Sequence, residues 1–206
     1  FENLLASYNP ETQQTARKQT GSFYTPREIV QYMVDESLVT HLKRTVGNEL
    51  ESEYRKLLDY ADNEILLTEQ QKLAIMQSLY NCKILDPACG SGAFPVGVLQ
   101  QMVHILKQID PDNSRWKNML LQFAIDETSE AYLNSTAEER REAVADIERA
   151  FDENVNYPDY ARKLHLIENC IYGVDIQPIA IQISKLRFFI SVSYTHLRAH
   201  ETRRHL

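Results

Sequence analysis

Ile84-Leu85-Asp86-Pro87-Ala88-Cys89-Gly90-Ser91-Gly92-Ala93-Phe94 carries a short apolar run into an acid, turns through two glycines and enters an amphipathic helix. A buried parallel strand reads as such a run, and ligands of open α/β sheets sit beyond the carboxyl ends of these strands, where Asp86 falls. Gly90 and Gly92 lack Cβ, so the backbone is free to take positive φ and a ligand can approach it closely. The helix that follows points its free N–H groups at the same crevice. The spacing bears on the ligand. A dinucleotide fingerprint needs a third glycine where Pro95 stands, and a P-loop needs Lys-Ser/Thr where Ala93 and Phe94 stand, so both phosphate readings fail. Taken alone Gly-Ser-Gly is also a plain turn; the acid before it and the helix after it favour a binding turn.

Asp86-Pro87-Ala88-Cys89-Gly90-Ser91-Gly92-Ala93-Phe94 resembles the S-adenosylmethionine-binding motif of class I methyltransferases, in the form found in N6-adenine DNA methyltransferases. In that family the glycine turn packs against the methionyl part of the cofactor and the acid helps to hold it. The resemblance gives those roles to Asp86, Ala88, Gly90 and Gly92, with Pro87, Cys89 and Phe94 beside them.

A second motif precedes the first. Thr25 with Glu28 has the spacing of a capping box, Pro26 suits a first helical position, and Ile29, Val30, Met33, Val34, Leu38 and Leu42 follow at helical spacing. An ordinary capped helix accounts for that much. Gly21-Ser22-Phe23-Tyr24-Thr25-Pro26 also resembles the other cofactor motif of the same methyltransferases, in which the aromatic and the threonine line the pocket. The resemblance therefore adds Phe23, Tyr24, Thr25 and Pro26 to the cofactor residues.

After the glycine turn, Val96, Leu99, Val103 and Leu106 continue one apolar stripe, and Asp110-Pro111-Asp112-Asn113 supplies a turn. Instead of a strand there follows a helical stretch over 110–168. Trp116, Leu120, Phe123 and Ala124 form one stripe, and Ser135 with Glu138 is spaced to cap another through Val144, Ile147 and Phe151. The next strand-like run is Cys170-Ile171-Tyr172-Gly173-Val174-Asp175, whose acid lies 89 positions after Asp86. An acid there either caps the following helix or accepts hydrogen bonds from two ribose hydroxyls. Tyr172-Gly173-Val174-Asp175-Ile176-Gln177-Pro178 resembles the corresponding methyltransferase motif, which implies that Asp175 and Ile176 meet the nucleoside half of the cofactor. Pro178 opens a helix whose Ile179, Ile183, Leu186 and Ile190 are expected to face the sheet.

Upstream, 48–80 reads as two helices, the second opened by a Thr68/Gln71 box and carried by Leu73, Met76, Leu79 and Tyr80. Residues 1–22 are polar, with a turn at Asn9-Pro10-Glu11.

Composition sets outer bounds. With 206 residues, 43% hydrophobic and 25% charged, the chain is of ordinary globular make-up. No apolar run approaches the ~20 residues that span a bilayer, and Phe1-Glu2-Asn3 opens no signal peptide, so a cytoplasmic, non-membrane protein is expected. The missing initiator Met suggests a cut start. Cys82, Cys89 and Cys170 have neither disulfide-framework nor zinc spacing, so buried reduced thiols and no metal are expected. A net charge of −7 argues against the main DNA-gripping surface, which is built from Lys and Arg.

Ser193 to Leu206 departs from this pattern. It holds three of the six histidines, no clear apolar stripe, and resembles a translated adaptor or vector tail. A basic tail touching nucleic acid is the other reading. Amino-methylating enzymes of the family carry Asn/Asp-Pro-Pro-Tyr/Phe, yet no Pro-Pro occurs in this sequence, so no catalytic residue is assigned.

The expectation is an α/β, Rossmann-like class I methyltransferase fold, truncated. Residues 1–80 form an N-terminal helical region with the first cofactor motif. Residues 81–192 form the S-adenosylmethionine-binding core, with a helical insertion at 110–168 between its first two strands, and 193–206 are a non-native tail. The resemblance implies a parent DNA N6-adenine methyltransferase of the large restriction-modification (type IIG-like) or phage-defence kind. Such a parent meets double-stranded DNA through regions outside this sequence and is compatible with a fused or partner nuclease or specificity domain. A class I methyltransferase acting on protein or RNA, and a non-catalytic S-adenosylmethionine-binding module, are the alternatives.

Overall fold

The computed structural model describes residues 25–126, 134–152 and 159–202, together with two short strands, β1 (Tyr8–Asn9) and β2 (Gln14–Thr15), which pair antiparallel. Gly21, Ser22, Phe23 and Tyr24 of the first motif lie outside the described residues.

Helix α1 (Arg27–Thr45) begins one residue later than a Thr25/Glu28 box requires. Pro26 occupies the N-cap with extended ψ, its carbonyl accepts from Ile29 N and Val30 N at 3.1 Å each, and no side chain caps the helix. Val30, Val34, Leu38, Val39 and Leu42 form its buried face, whereas Ile29 and Met33, expected in the same stripe, are about half exposed. A 3₁₀ turn (Asn48–Leu50) leads into α2 (Glu51–Leu58), which buries Tyr54, Leu57 and Leu58. Arg55 spans from Glu51 of α2 to Glu36 of α1 in an exposed ion-pair cluster, the kind that adds little stability in water. Helix α3 (Glu69–Asn81) has the expected box: Gln71 N donates to Thr68 Oγ1 at 3.3 Å and Thr68 N to Gln71 Oε1 at 2.8 Å. Its buried stripe is Ile75, Met76 and Leu79; Leu73 points outward.

After β3 (Ile84–Asp86), helix α4 (Ala93–Ile109) is the hub of the fold, packing on α1, α2 and α3. It is covered nearly all round, with only Gln100 and Lys107 exposed, and buries Val98, Leu99, Met102, Val103, Ile105, Leu106 and Ile109. Gly97 lets α1 approach: a Cβ there would stand 3.3 Å from Val30 and 3.4 Å from Val34. The one long polar side chain on its buried face, Gln101, donates to Asp35 Oδ1 (2.7 Å) and the Leu58 carbonyl (3.1 Å).

Between α4 and the next strand lie α5 (Ser114–Ile125), α6 (Ala137–Ala150) and α7 (Tyr160–Asn169). A buried charge network pins α5 and α7 to the end of α4. Asp110 Oδ1 accepts from Arg115 N (3.2 Å) and Oδ2 from Trp116 N (3.0 Å), capping α5, while Oδ2 also takes Arg162 Nη2 (3.1 Å) from α7. Burial pulls the Arg162 guanidinium below its ordinary value, and the Asp110 carboxylate opposes that pull. The box that opens α6 is Thr136/Glu139 rather than Ser135/Glu138: the repeated Ser-Thr and Glu-Glu pairs offer two registers, and the later one forms. No residue of α6 is fully buried; Ile147 and, just past its end, Phe151 pack partly against the core.

Strand β4 (Ile171–Gly173) returns parallel to β3, with Ile84 opposite Ile171, Leu85 opposite Tyr172 and Asp86 opposite Gly173. The protein is thus mostly helical around a two-stranded parallel sheet, an arrangement compatible with a truncated methyltransferase fold. Helix α8 (Pro178–Thr202) overturns one expectation. Ile179, Leu186 and Ile190 do not face a sheet but are 65%, 56% and 47% exposed, joined by Phe189. Two strands offer no broad sheet surface to cover, so α8 instead turns Ser184 inward, toward the glycine turn, and packs on α4 and α7. Leu85, Tyr172 and Val174 are exposed as well. No helix among the described residues is long and apolar enough to cross a membrane.

Candidate cofactor site

At the carboxyl end of the sheet the glycine turn is stitched to the exit of β4. Val174 N donates to the Asp86 carbonyl and Cys89 N to the Val174 carbonyl, both at 2.9 Å, and Gly90 N donates to Asp175 Oδ2 at 2.9 Å. Asp86 also folds back on its own turn, its Oδ1 accepting from Ala88 N at 3.1 Å. The turn closes through Gly92 N to the Cys89 carbonyl (2.8 Å), and the Gly92 carbonyl starts α4 by accepting from Val96 N (3.0 Å).

Gly90 and Gly92 are both left-handed, at φ +52° and +84°, for different reasons. A Cβ on Gly92 would lie 2.4 Å from Ser184 Oγ, so this glycine admits α8; around the Cβ position of Gly90 no described residue lies within 4 Å. Gly173 makes room in the same way for Cys89, whose Sγ would stand 3.0 Å from an added Cβ. Cys89 is buried, and desolvation, reinforced by the Asp86 and Asp175 carboxylates, pushes its thiol above the ordinary value. It is held as a neutral packing group.

The open side of the turn faces a cavity of about 400 Å³. Asp86, Pro87, Ala88, Cys89, Gly90, Ser91, Ala93 and Phe94 wall one side; Thr25, Val30 and Met33 from the start of α1 wall the other, with Leu85 between. Thr25 of one sequence motif and the glycine turn of the other, far apart in the chain, therefore meet across one cavity. Pro26 fixes the start of α1 beside Thr25. Gly92 and Asp175 stand behind the turn, outside the cavity wall, and Ile176 is 88% exposed beyond the end of β4. Asp175 uses both oxygens on backbone amides, Oδ2 on Gly90 and Oδ1 on Gln177 N at 2.7 Å. Sequence reasoning did not assign Val30, Met33, Leu85, Ser91 or Ala93 to the site. The signal available for the first two was their position in the opening turns of the helix that follows Thr25.

Chemically, the described residues of the wall supply one carboxylate, no cation and an apolar flank, and α4 opens toward it with no side-chain cap. No Lys or Arg is among the described residues that line the cavity. Its acid and exposed glycine backbone suit a ligand that carries positive charge near the turn. A larger open cleft of about 790 Å³ lies between α1 and α2, but its Arg55 is spent on Glu36 and Glu51, and no described residue of either sequence motif lines it.

No family model matches the chain, and no solved structure matches it. It is 26% identical over 188 residues to a protein of Methanocaldococcus jannaschii provisionally named a type II restriction enzyme and methyltransferase. The similarity takes in 85% of this chain and 12% of the relative, so the chain spans about an eighth of that protein's length.

Proposed function

We propose that this chain is the S-adenosylmethionine-binding part of a DNA N6-adenine methyltransferase of the restriction-modification kind. One observation carries the reading: Thr25 and the Asp86–Phe94 turn, the residues that resemble two separate cofactor motifs, line a single cavity. The relative's name points the same way. The residues present fit the cofactor. The Gly90 side of the turn leaves open space where any other residue would carry a Cβ, and Asp86 supplies negative charge for a ligand bearing a sulfonium and an ammonium.

S-adenosylmethionine, when bound, supplies a methyl group on a positively charged sulfur, activated for direct displacement by an amine. The turn and Asp86 would hold the methionyl side, the apolar flank of Val30, Met33 and Phe94 would exclude water from the sulfonium, and Asp175 with Ile176 would receive the nucleoside. Alignment of amine and methyl, and stabilisation of charge developing on the amine, are the main sources of rate in such a transfer. The target adenine must leave the duplex to reach a pocket of this kind. Since the sequence contains no Pro-Pro, the groups that hold the target amine, and those that grip double-stranded DNA, belong in this reading to polypeptide outside these 206 residues.

The test is photo-crosslinking with methyl-tritiated S-adenosylmethionine, followed by peptide mapping. Label on peptides containing Thr25 or the 86–94 turn, competed by S-adenosylhomocysteine, is expected. Label elsewhere, or label that the competitor does not displace, would remove the assignment.

A further inference from the structure

We infer that Asp175 is a positioning residue for the methionyl side of the cofactor site, acting through the Gly90 amide, in addition to any contact it makes with the nucleoside. The inference rests on the cofactor reading above. Hydrogen bonding between the two strands does not stop where β3 ends. It continues from Val174 N to the Asp86 carbonyl, then from Cys89 N to the Val174 carbonyl, and its last link, to Gly90 N, is made by the Asp175 side chain.

Gly90 needs that link. It sits on the cavity wall at φ +52°, has no side chain, and no described residue comes within 4 Å of its Cβ position, so packing by the described residues on that side does not fix it. Asp175 is itself held: Gln177 N takes Oδ1 at 2.7 Å, which aims Oδ2 at Gly90 N, 2.9 Å away. A carboxylate accepting from a backbone amide makes a charge-assisted bond, stronger than a neutral one. Asp175 thus shapes a wall that it does not line. A residue serving only the ribose would leave Gly90 where it is when removed; this one would release it.

The test uses Asp175→Ala and Asp175→Asn in the 206-residue chain, with two ligands and one amide. Adenosine reports the nucleoside side alone and S-adenosylhomocysteine reports both sides, each measured by calorimetry or competition. The Gly90 amide is followed by hydrogen exchange in the ligand-free protein. In Asp175→Ala the Gly90 amide is expected to exchange about tenfold faster or more, and S-adenosylhomocysteine to weaken about tenfold more than adenosine does. Asp175→Asn keeps the shape and one acceptor oxygen; it is expected to fall between, and it carries the test if the alanine variant does not fold. Equal weakening of the two ligands, or unchanged Gly90 exchange, overturns the inference and leaves the cofactor reading standing. Failure of both ligands to bind the unsubstituted chain overturns the cofactor reading, and the inference falls with it.

Discussion

Gly92→Ala is the substitution whose cost can be worked most directly from the structure. At φ +84° an L-residue pays about 1–2 kcal/mol for the left-handed conformation. Its Cβ would also stand 2.4 Å from Ser184 Oγ, 3.1 Å from Ser184 Cβ and 3.3 Å from Ser184 Cα. The hydroxyl can rotate away, but the last two atoms belong to α8 itself, so the helix must shift, an overpacking cost of about 1–3 kcal/mol. A total of about 3 kcal/mol is expected. Gly90→Ala pays only the first part, about 1 kcal/mol, because no described residue stands within 4 Å of its Cβ position. Urea unfolding of both variants, with a double-mutant cycle between Gly92→Ala and Ser184→Gly, separates the terms. A coupling of about 1–2 kcal/mol is expected, since removing the Ser184 side chain relieves the contact but not the backbone conformation. Equal destabilisation by the two alanines, or an additive cycle, would refute the claim that Gly92 exists to admit α8. For ligand binding the order should reverse, with Gly90→Ala the more damaging, because its methyl points into open space beside the cavity.

Other expectations follow from buried groups. Removing Asp110 takes away the nearer carboxylate of the buried Arg162, leaving it Asp159 at 3.8 Å, and uncaps α5; Asp110→Ala should cost about 3 kcal/mol in urea unfolding, far more than Glu36→Ala at the exposed Arg55 cluster. Burial lowers His165 to about 4 from an ordinary 6.5. The unfolded chain then takes up a proton that the folded one refuses, so stability present above pH 6.5 is lost as pH falls toward 4, by roughly 3 kcal/mol. The difference in unfolding midpoint between pH 7 and pH 5 should shrink in His165→Phe, and an unchanged difference would rule the histidine out. Cys82 and Cys170 are buried with thiols pushed up to about 11, and Cys89 is buried too, so iodoacetamide should label none of the three at pH 7.5 until urea is added. Incorporation of labelled methyl into duplex DNA by the 206-residue chain should stay at background, because it contains no Pro-Pro motif.

What the sequence made legible was local or periodic. The strand, acid, glycines and helix of 84–94 each have a short-range cause, and so does the Thr68/Gln71 box; all of them form. The second strand could be placed because an acid closes an apolar run, and it pairs parallel to the first. The errors arise where the partner is distant. Ile29 and Met33 share the spacing of a core stripe, but Met33 borders the cavity, which the stripe does not reveal. Ile179, Leu186 and Ile190 also have helical spacing, yet the contact that orients α8 is between Ser184 and Gly92, a pair that hydrophobicity cannot find. Asp110 read as a turn residue; its pairing with Arg162, 52 positions on, is invisible to any local rule. Asp175 was legible as an acid at a strand end, but its bond to Gly90 appears only once the strands are side by side.

The central claim, that the cavity between Thr25 and the glycine turn takes S-adenosylmethionine, is most directly tested by titration calorimetry of this chain with the cofactor, alongside Asp86→Ala. Saturable one-to-one binding that Asp86→Ala weakens about tenfold or more is expected, the carboxylate's share in holding a cationic ligand. No binding by the unsubstituted chain, or binding that Asp86→Ala leaves unchanged, would contradict it.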